Sequence, residues 1–351
     1  MKRSSSQRAS APSVDLLALA EYVERFSTKT IVVLGDFVAD AFQVGDITRV
    51  SREAPVLILK HRETRIVPGG GANAANNFAA LGAKVIPITA VGEDEAGNAL
   101  QEFFQAQKLD VSGILRTKDW TTPTKTRFLA GWAHKVGQQV LRVDYEPDHP
   151  LPAEIHKKIY SKLAQCLKKA DALAVSDYGF GVAVPAELAK LLSRHKRLIS
   201  TLDSRYELRG FSRAGLHSAT PNEGEIESLH RTAIGKNLAE LERCGRATLT
   251  DMKLHSLLIT RGHDGIALFE PGKPTAHIPI HGSDQAVDVT GAGDTVLAAY
   301  TLGLASGATP LEAAHLANIA GGLVVMKRGT ATVSRAELLE AIGASAKESA
   351  P

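Results

Sequence analysis

Residues 288–295 read DVTGAGDT and run directly into VLAAYTLGLA (296–305), an apolar stretch with the look of a helix. Glycines at a helix mouth let backbone amides approach a ligand closely, and a helix N-terminus presents unpaired N–H groups carrying partial positive charge. That is a place for an anion. Yet a carboxylate, Asp294, is planted inside it. The arrangement makes chemical sense if the acid takes a proton from a group about to attack the anion, a need that phosphoryl transfer poses.

The rest of the chain narrows the setting. Its 351 residues are 44% hydrophobic and 23% charged, an ordinary globular composition with material for a large core. Lys and Arg total 41 against 38 Asp and Glu, so a net charge of +3 argues against nucleic acid as a partner. Cys166 and Cys244 are far apart and without CxxC spacing, which excludes a disulfide framework or a cysteine-rich zinc site and fits a reducing cytoplasm. The longest apolar run near the start, residues 16–20, is too short for a signal core or a membrane span, so no membrane partner is expected. The opening MKRSSSQRASAPS (1–13) reads as a disordered tail and residues 343–351 as a C-terminal tail.

From residue 30, short apolar runs alternate with helical stretches. TIVVLGD (30–36), KVIPITAVG (84–92), ALAVSD (172–177) and SLLITRG (256–262) read as strands; AANNFAALGA (74–83) and AGNALQEFFQAQ (96–107) read as helices. Such alternation implies one α/β domain, residues 14–342, with a mostly parallel sheet covered on both faces. Residues 46–67 and 123–145 break the pattern and read as extended pairs around turns, a small β lid over the strand C-terminal edge where ligands of open α/β sheets bind.

A second glycine cluster, PGGGANAANN (68–77), also opens a helix, and it brings the amides of Asn73 and Asn76, able to bond hydroxyls. With Asp36 at the end of the first strand, that set suits a polyhydroxylated ligand. No GxxxxGK[ST] is present, and GAGDTV (291–296) has Val296 where a dinucleotide fingerprint needs its third glycine.

These motifs, together with TPNEGE (220–225) and TRGHDG (260–265) in the same order, resemble the ribokinase-like (PfkB) carbohydrate kinases over roughly residues 30–340. GDFVAD (35–40), TRVSREAPV (48–56), QQVLRVDYE (138–146), SDYGFG (176–181) and MKRGTATVS (326–334) are most similar to the heptose-7-phosphate kinase branch of that family. The resemblance implies a three-layer α/β/α sandwich with a β lid. It also implies an ATP-dependent phosphotransferase acting, in that branch, on the anomeric hydroxyl of D-glycero-D-manno-heptose 7-phosphate, an ADP-heptose precursor. Two-activity members of the branch carry a nucleotidylyltransferase after the kinase, which this chain is expected to lack.

Carried over by residue, Asp294 is the expected base, and the amides around Gly291, Ala292 and Gly293 stabilise the transferred group. Asp36, Gly70, Gly71, Asn73 and Asp177 are expected to line the sugar site. Asn222 and Glu225 are expected at phosphate and at Mg²⁺ through water, though their spacing equally describes a helix cap with a capping-box Glu. Thr260, Gly262 and Gly265 belong to the nucleotide's phosphate strand-end and Asn318 to the adenine wall, while Asp288 is a candidate ligand for a monovalent cation such as K⁺. For a sugar phosphate the lid offers Arg49, Arg52, Lys125, Arg127 and Arg142, with Arg127 and Arg142 the first choices. The family's habit implies a homodimer through the lid.

Four departures from the heptose pattern lie near the expected substrate: Ala41 for an Arg, Arg52 for a Pro, Phe180 for a Lys, and Ser204-Arg205 for Pro-Lys. Another sugar or sugar phosphate, of the fructose 6-phosphate, fructose or ribose type, is the alternative substrate. A catalytically idle sensor is the alternative from another class; it would be expected to lose the base or the anion hole, and both are present.

Overall fold

Strand β1 (Thr30–Gly35) sends Ile31 and Val33 into one buried core and Val32 and Leu34 into another. Alternation to two faces, both covered, is why the strand reads as an unbroken apolar run. The computed structural model describes residues 14–131, 138–282 and 285–348; the expected N-terminal tail, residues 132–137 of the expected lid segment, and residues 283–284 and 349–351 lie outside them.

The chain begins with α1 (Leu16–Arg25) and, after β1, forms β2 (Phe37–Val50), β3 (Leu57–Gly70), α2 (Gly71–Ala80), β4 (Lys84–Gly92), α3 (Glu95–Ala106) and β5 (Ile114–Thr117). Then come β6 (Thr124–Gly131), β7 (Gln138–Tyr145), α4 (Ala153–Cys166), β8 (Ala172–Asp177), α5 (Pro185–Leu192), β9 (Ile199–Ser204) and β10 (Ser218–Ala219). The last part holds α6 (Glu223–His230), α7 (Leu238–Asp251), β11 (Ser256–Thr260), β12 (Ile266–Phe269), β13 (Ala276–Ile278), α8 (Ala292–Ala305), α9 (Pro310–Val324) and α10 (Arg335–Glu348).

Nine strands form one sheet in the order β13-β12-β11-β10-β9-β8-β1-β4-β5. Pairing is parallel from β11 to β5, and β12 and β13 close the far edge antiparallel. Helices α1, α2, α8, α9 and α10 contribute to one core and α4, α5, α6 and α7 to the other, giving the three-layer α/β/α sandwich. Helix α8 is buried on every side from Asp294 to Leu304, as an all-apolar helix must be. On the face toward it, β8 presents Ala172 and Ala174, small enough for close approach. Among the described residues no helix is long and apolar enough to cross a membrane.

The interrupting segments form a second sheet, β3-β2-β6-β7. Its strands are longer than the expected 46–67: β2 starts one residue after Asp36 and β3 runs to Gly70. Phe37, Val38, Ala39 and Ala41 are buried at its base, so the period-2 signal that marks the outer lid is missing there. The C-terminal end also differs from expectation, because α10 continues through Gly343 to Glu348. Buried Ile342 and Leu338 anchor it, and the alanines beyond Gly343 favour helix.

Candidate active site

The parallel strands deliver their carboxyl ends to one edge, and with them Asp177 from β8, Asp203 from β9, and Thr260 from β11. Helix α8 brings its N-terminus to the same edge. Gly291 is its N-cap in the left-handed region (φ 78°), and no side chain caps the helix. The first-turn amides of Gly293 and Asp294 therefore have no intrahelical acceptor.

Two cavities meet here, sharing Thr260, Val289 and Gly293. The first, about 180 Å³, is an apolar slot between α9 and the β12–β13 edge, walled by Ile266, Ile280, Val296, Ala317 and Val325, with His263 and Asn318 as polar members. Gly262 and Gly265 also line it. Asn318 gives its Nδ2 to the Pro279 carbonyl at 2.8 Å, which fixes the amide in the wall. The second cavity, about 200 Å³, is lined by Asp177, Tyr178, Asp203, Arg205, Asn222, Glu225, Gly291 and Asp294.

Asp294 is 3% exposed. Its Oδ2 accepts a 2.7 Å bond from Asn73 Nδ2, and its Oδ1 is buried without a hydrogen-bond partner. Burial pushes its pKa up to about 7, against the stabilising bond from Asn73. An acid near neutrality with one unused oxygen is equipped to accept a proton.

The other carboxylates share the strain. Asp203 is raised well above its usual range by burial and then by Glu225, Asp294 and Asp177; Glu225 and Asp177 are raised by burial. Asn222 and Glu225 form the capping box of α6: Asn222 Oδ1 accepts from Glu225 N and Glu225 Oε2 from Asn222 N, each at 2.9 Å. Both residues also face the second cavity, so cap and site coincide.

Four of the five expected sugar residues have other work. Asp36 is wholly buried, and its carboxylate accepts the amides of Tyr178 (2.8 Å), Phe180 (3.1 Å) and Val182 (3.0 Å). Burial and Asp177 raise its pKa to about 6. It moors the 177–182 loop rather than facing the cavity. Gly70 and Gly71 bring α2 against the Asp36 carbonyl, which accepts Gly71 N at 2.9 Å; a Cβ on either would meet that carbonyl at 3.0 Å. Asn73 is pinned to Asp294 instead of standing open to hydroxyls. Asn76, on the outer side of α2, accepts from Gln107 Nε2 at 3.1 Å.

Asp177 remains at the cavity, with Ser204 Oγ bonded to its Oδ2 at 2.7 Å. Asp288 works against burial, but bonds from the Thr290 and Gly329 amides, both 2.9 Å, hold its pKa down. It ties the loop before α8 to the one after α9.

On the lid, register places Asp40 beside Lys125, Arg127 opposite Arg142, and Lys125 opposite Asp144. Facing arginines repel, and here each has a carboxylate: Arg127 Nη1 lies 2.5 Å from Asp40 Oδ1, and Arg142 grips Asp144 through two bonds of 2.7 and 2.6 Å. Lys125 lies over the Tyr178 ring at 5.3 Å, its pKa lowered by burial. Arg49 and Arg52, by contrast, are exposed on the outer lid.

Sequence reasoning missed Asp40, 5% exposed and close enough to raise the Asp294 pKa, as well as Asp203, Asn77 and Thr295. For Asp203 the signal was available: an acid at the end of a buried strand, as with Asp36 and Asp177.

Known proteins resemble this chain in sequence and in fold. The bifunctional protein HldE of Trichlorobacter lovleyi is 36% identical over 331 residues, covering 93% of this chain and 65% of that protein. HldE of Geobacter metallireducens is 37% identical over 314 residues, 89% of this chain and 62% of that one. The chain thus spans a little under two thirds of these relatives' length. In fold it is similar to Arabidopsis thaliana ribokinase complexed with ribose and ATP (TM-score 0.71, 18% identity, 90% of this chain and 98% of that one). Escherichia coli phosphofructokinase-2 in complex with potassium is comparable (TM-score 0.68, 18% identity, the same coverages). A family profile described as pfkB family carbohydrate kinase matches residues 28–337, and with the buried acid at an open helix mouth in place, the chain belongs to the pfkB family of ATP-dependent carbohydrate kinases.

Proposed function

We propose that this chain transfers the γ-phosphoryl group of ATP to the anomeric hydroxyl of D-glycero-D-manno-heptose 7-phosphate. The observation that carries the chemistry is Asp294 Oδ1, buried and without a hydrogen-bond partner in the second cavity, one residue on from Gly293, where the first cavity meets it. The apolar slot suits an adenine and the charged cavity the reacting groups. The sugar oxygen attacks the γ-phosphorus, its proton passes to Asp294, the bond to the β-phosphate's bridging oxygen breaks, and ADP leaves. Amides of the α8 mouth face the transferred group.

A hydrated Mg²⁺ fits the second cavity, which crowds Asp177, Asp203, Glu225 and Asp294 with Arg205 as its one cation. Among the described residues no three such side chains stand close enough to ligate a metal directly. Glu225 is the residue proposed to hold the ion, through water. When bound, Mg²⁺ supplies charge neutralisation for the phosphates. Asp288 is the candidate for a monovalent cation.

The sugar assignment rests on the likeness of the motifs to heptose-7-phosphate kinases and on the cations Lys125, Arg127 and Arg142 gathered on one lid face. The test is ADP release with Mg-ATP across heptose 7-phosphate, fructose 6-phosphate, fructose and ribose, in potassium and potassium-free buffers. Turnover is expected with heptose 7-phosphate, faster in potassium. Arg142→Met should raise KM for the phosphosugar about 10-fold and leave KM for ATP unchanged. Preference for an unphosphorylated sugar would overturn the assignment and keep the kinase, whereas no turnover at all would favour a sensor.

The lid also exposes Val50, Val56, Leu57, Val140, Leu141 and Tyr145, a surface that suits a second copy of the chain. A homodimer mass by light scattering, reduced to a monomer by Leu141→Glu with Val56→Glu, is the expected result. A monomeric wild type would remove this reading.

A further inference from the structure

The Asp294–Asn73 bond is one link of a longer buried chain. Asn77 Nδ2 donates to the Asn73 backbone carbonyl at 2.9 Å and to Asn73 Oδ1 at 3.3 Å, and Thr295 Oγ1 donates to Asn77 Oδ1 at 2.7 Å. Asn73, Asn77 and Thr295 are each 0% exposed, and Asn77 and Thr295 line neither cavity. We propose that Asn77 and Thr295 are positioning residues: they fix which way the Asn73 amide points, and so keep a donor on Asp294.

The argument is one of donor and acceptor parity. An Asn side chain can turn over and exchange its NH₂ and C=O ends. Turned over, Asn73 would set its Oδ1 against Asp294 Oδ2, two acceptors at hydrogen-bond distance, tolerable only if Asp294 kept a proton. Asn77 opposes this turn by donating to Asn73 Oδ1. Asn77 cannot itself turn without placing its Oδ1 against the Asn73 carbonyl, and the Thr295 hydroxyl, nearer to Asn77 Oδ1 (2.7 Å) than to the Gly291 carbonyl (3.3 Å), holds it. Buried groups have no water to substitute for a lost partner. Asp40, Lys125 and Asp203 act on Asp294 through their charge, and Tyr178 through its nearby hydroxyl, which favours the ionised acid; the amide chain fixes the bond to Oδ2.

This inference rests on Asp294 being the base, and the variants separate the two. Asn77→Asp puts an acceptor opposite the Asn73 oxygens and favours the turned amide. Its kcat at pH 7.5 should fall about 30-fold, with the acid limb of the kcat profile displaced upward by about two pH units, and KM for ATP and sugar within twofold of wild type. Thr295→Val should lower kcat about 5-fold with a smaller displacement in the same direction, and Thr295→Ser should restore both. Because Thr295→Val replaces one β-branched side chain by another of similar shape, it keeps the test open if Asn77→Asp does not fold. Wild-type pH profiles in Thr295→Val and in any folded Asn77→Asp, alongside an inactive Asp294→Asn, would overturn the positioning role alone. An active Asp294→Asn would overturn the base and this inference with it.

Discussion

Asp294→Asn is expected to lower kcat about 10³-fold or more with little change in KM for ATP, and at the same time to make the protein more stable. A general base contributes typically 10²–10⁴-fold, and the amide cannot take the hydroxyl's proton. The gain in stability follows from the raised pKa. With the Asp294 pKa at about 7 in the fold, against the ordinary carboxylate value of 3.8, the native state holds a proton that the unfolded chain has released. The protonated acid therefore supports the fold fully below the unfolded pKa, and that support is lost as pH climbs through about 7. Asn does not titrate. The difference in unfolding free energy between variant and wild type should widen from pH 4 to pH 7 and flatten above it, reaching on the order of 2–4 kcal/mol at its largest, and the difference in Tm should follow the same course. Thermal melts across pH beside initial-rate assays check both halves. A variant as active as wild type would remove Asp294 from the mechanism, and one destabilised at every pH would remove the raised pKa.

The same residue shows what a sequence can and cannot disclose. The glycines, the acid and the apolar helix behind them are contiguous, so the α8 mouth was legible in eight letters. The parallel sheet was legible too, because strands covered on both faces leave unbroken apolar runs. What stayed hidden depends on partners distant along the chain. Asn73 and Asn76 are the same residue type on α2, about 60° apart around the helix; the first reaches Asp294 in the interior, and the second lies far enough round to bond Gln107 instead. Asp36 ends the first strand as a binding acid would, yet three amides from residues 178–182 occupy it. Asp40, four residues later, lies under the lid with Arg127 because β2 leaves the main sheet at once and carries it there. Strand register across 87 residues decided that role, and local pattern holds no record of it.

Gly291→Ala should reduce kcat about 10²-fold, more than one methyl group on a loop would ordinarily do. Two effects coincide at this position. Gly291 adopts φ 78°, and an added Cβ would stand 2.5 Å from Asn73 Nδ2, the atom that holds Asp294. The methyl must push Asn73 back or shift the helix mouth, and either movement takes the base and the first-turn amides out of mutual alignment. Misplacement by about 1 Å costs roughly 10²-fold in a pre-arranged site. Gly307→Ala separates the effects. Gly307, just past the other end of α8, has φ 96° and nothing within 4 Å of an added Cβ, so it carries the backbone penalty of about 1 kcal/mol without the collision. Both variants should lose a few degrees of Tm, and only Gly291→Ala should lose turnover, with its acid limb displaced as in Asn77→Asp. Equal activity in the two would mean that the Asn73 contact yields freely and that the helix mouth need not be held so tightly for the reaction; loss in Gly291→Ala alone would tie the opening glycine of the motif, through one amide nitrogen, to the proton-accepting oxygen three residues on.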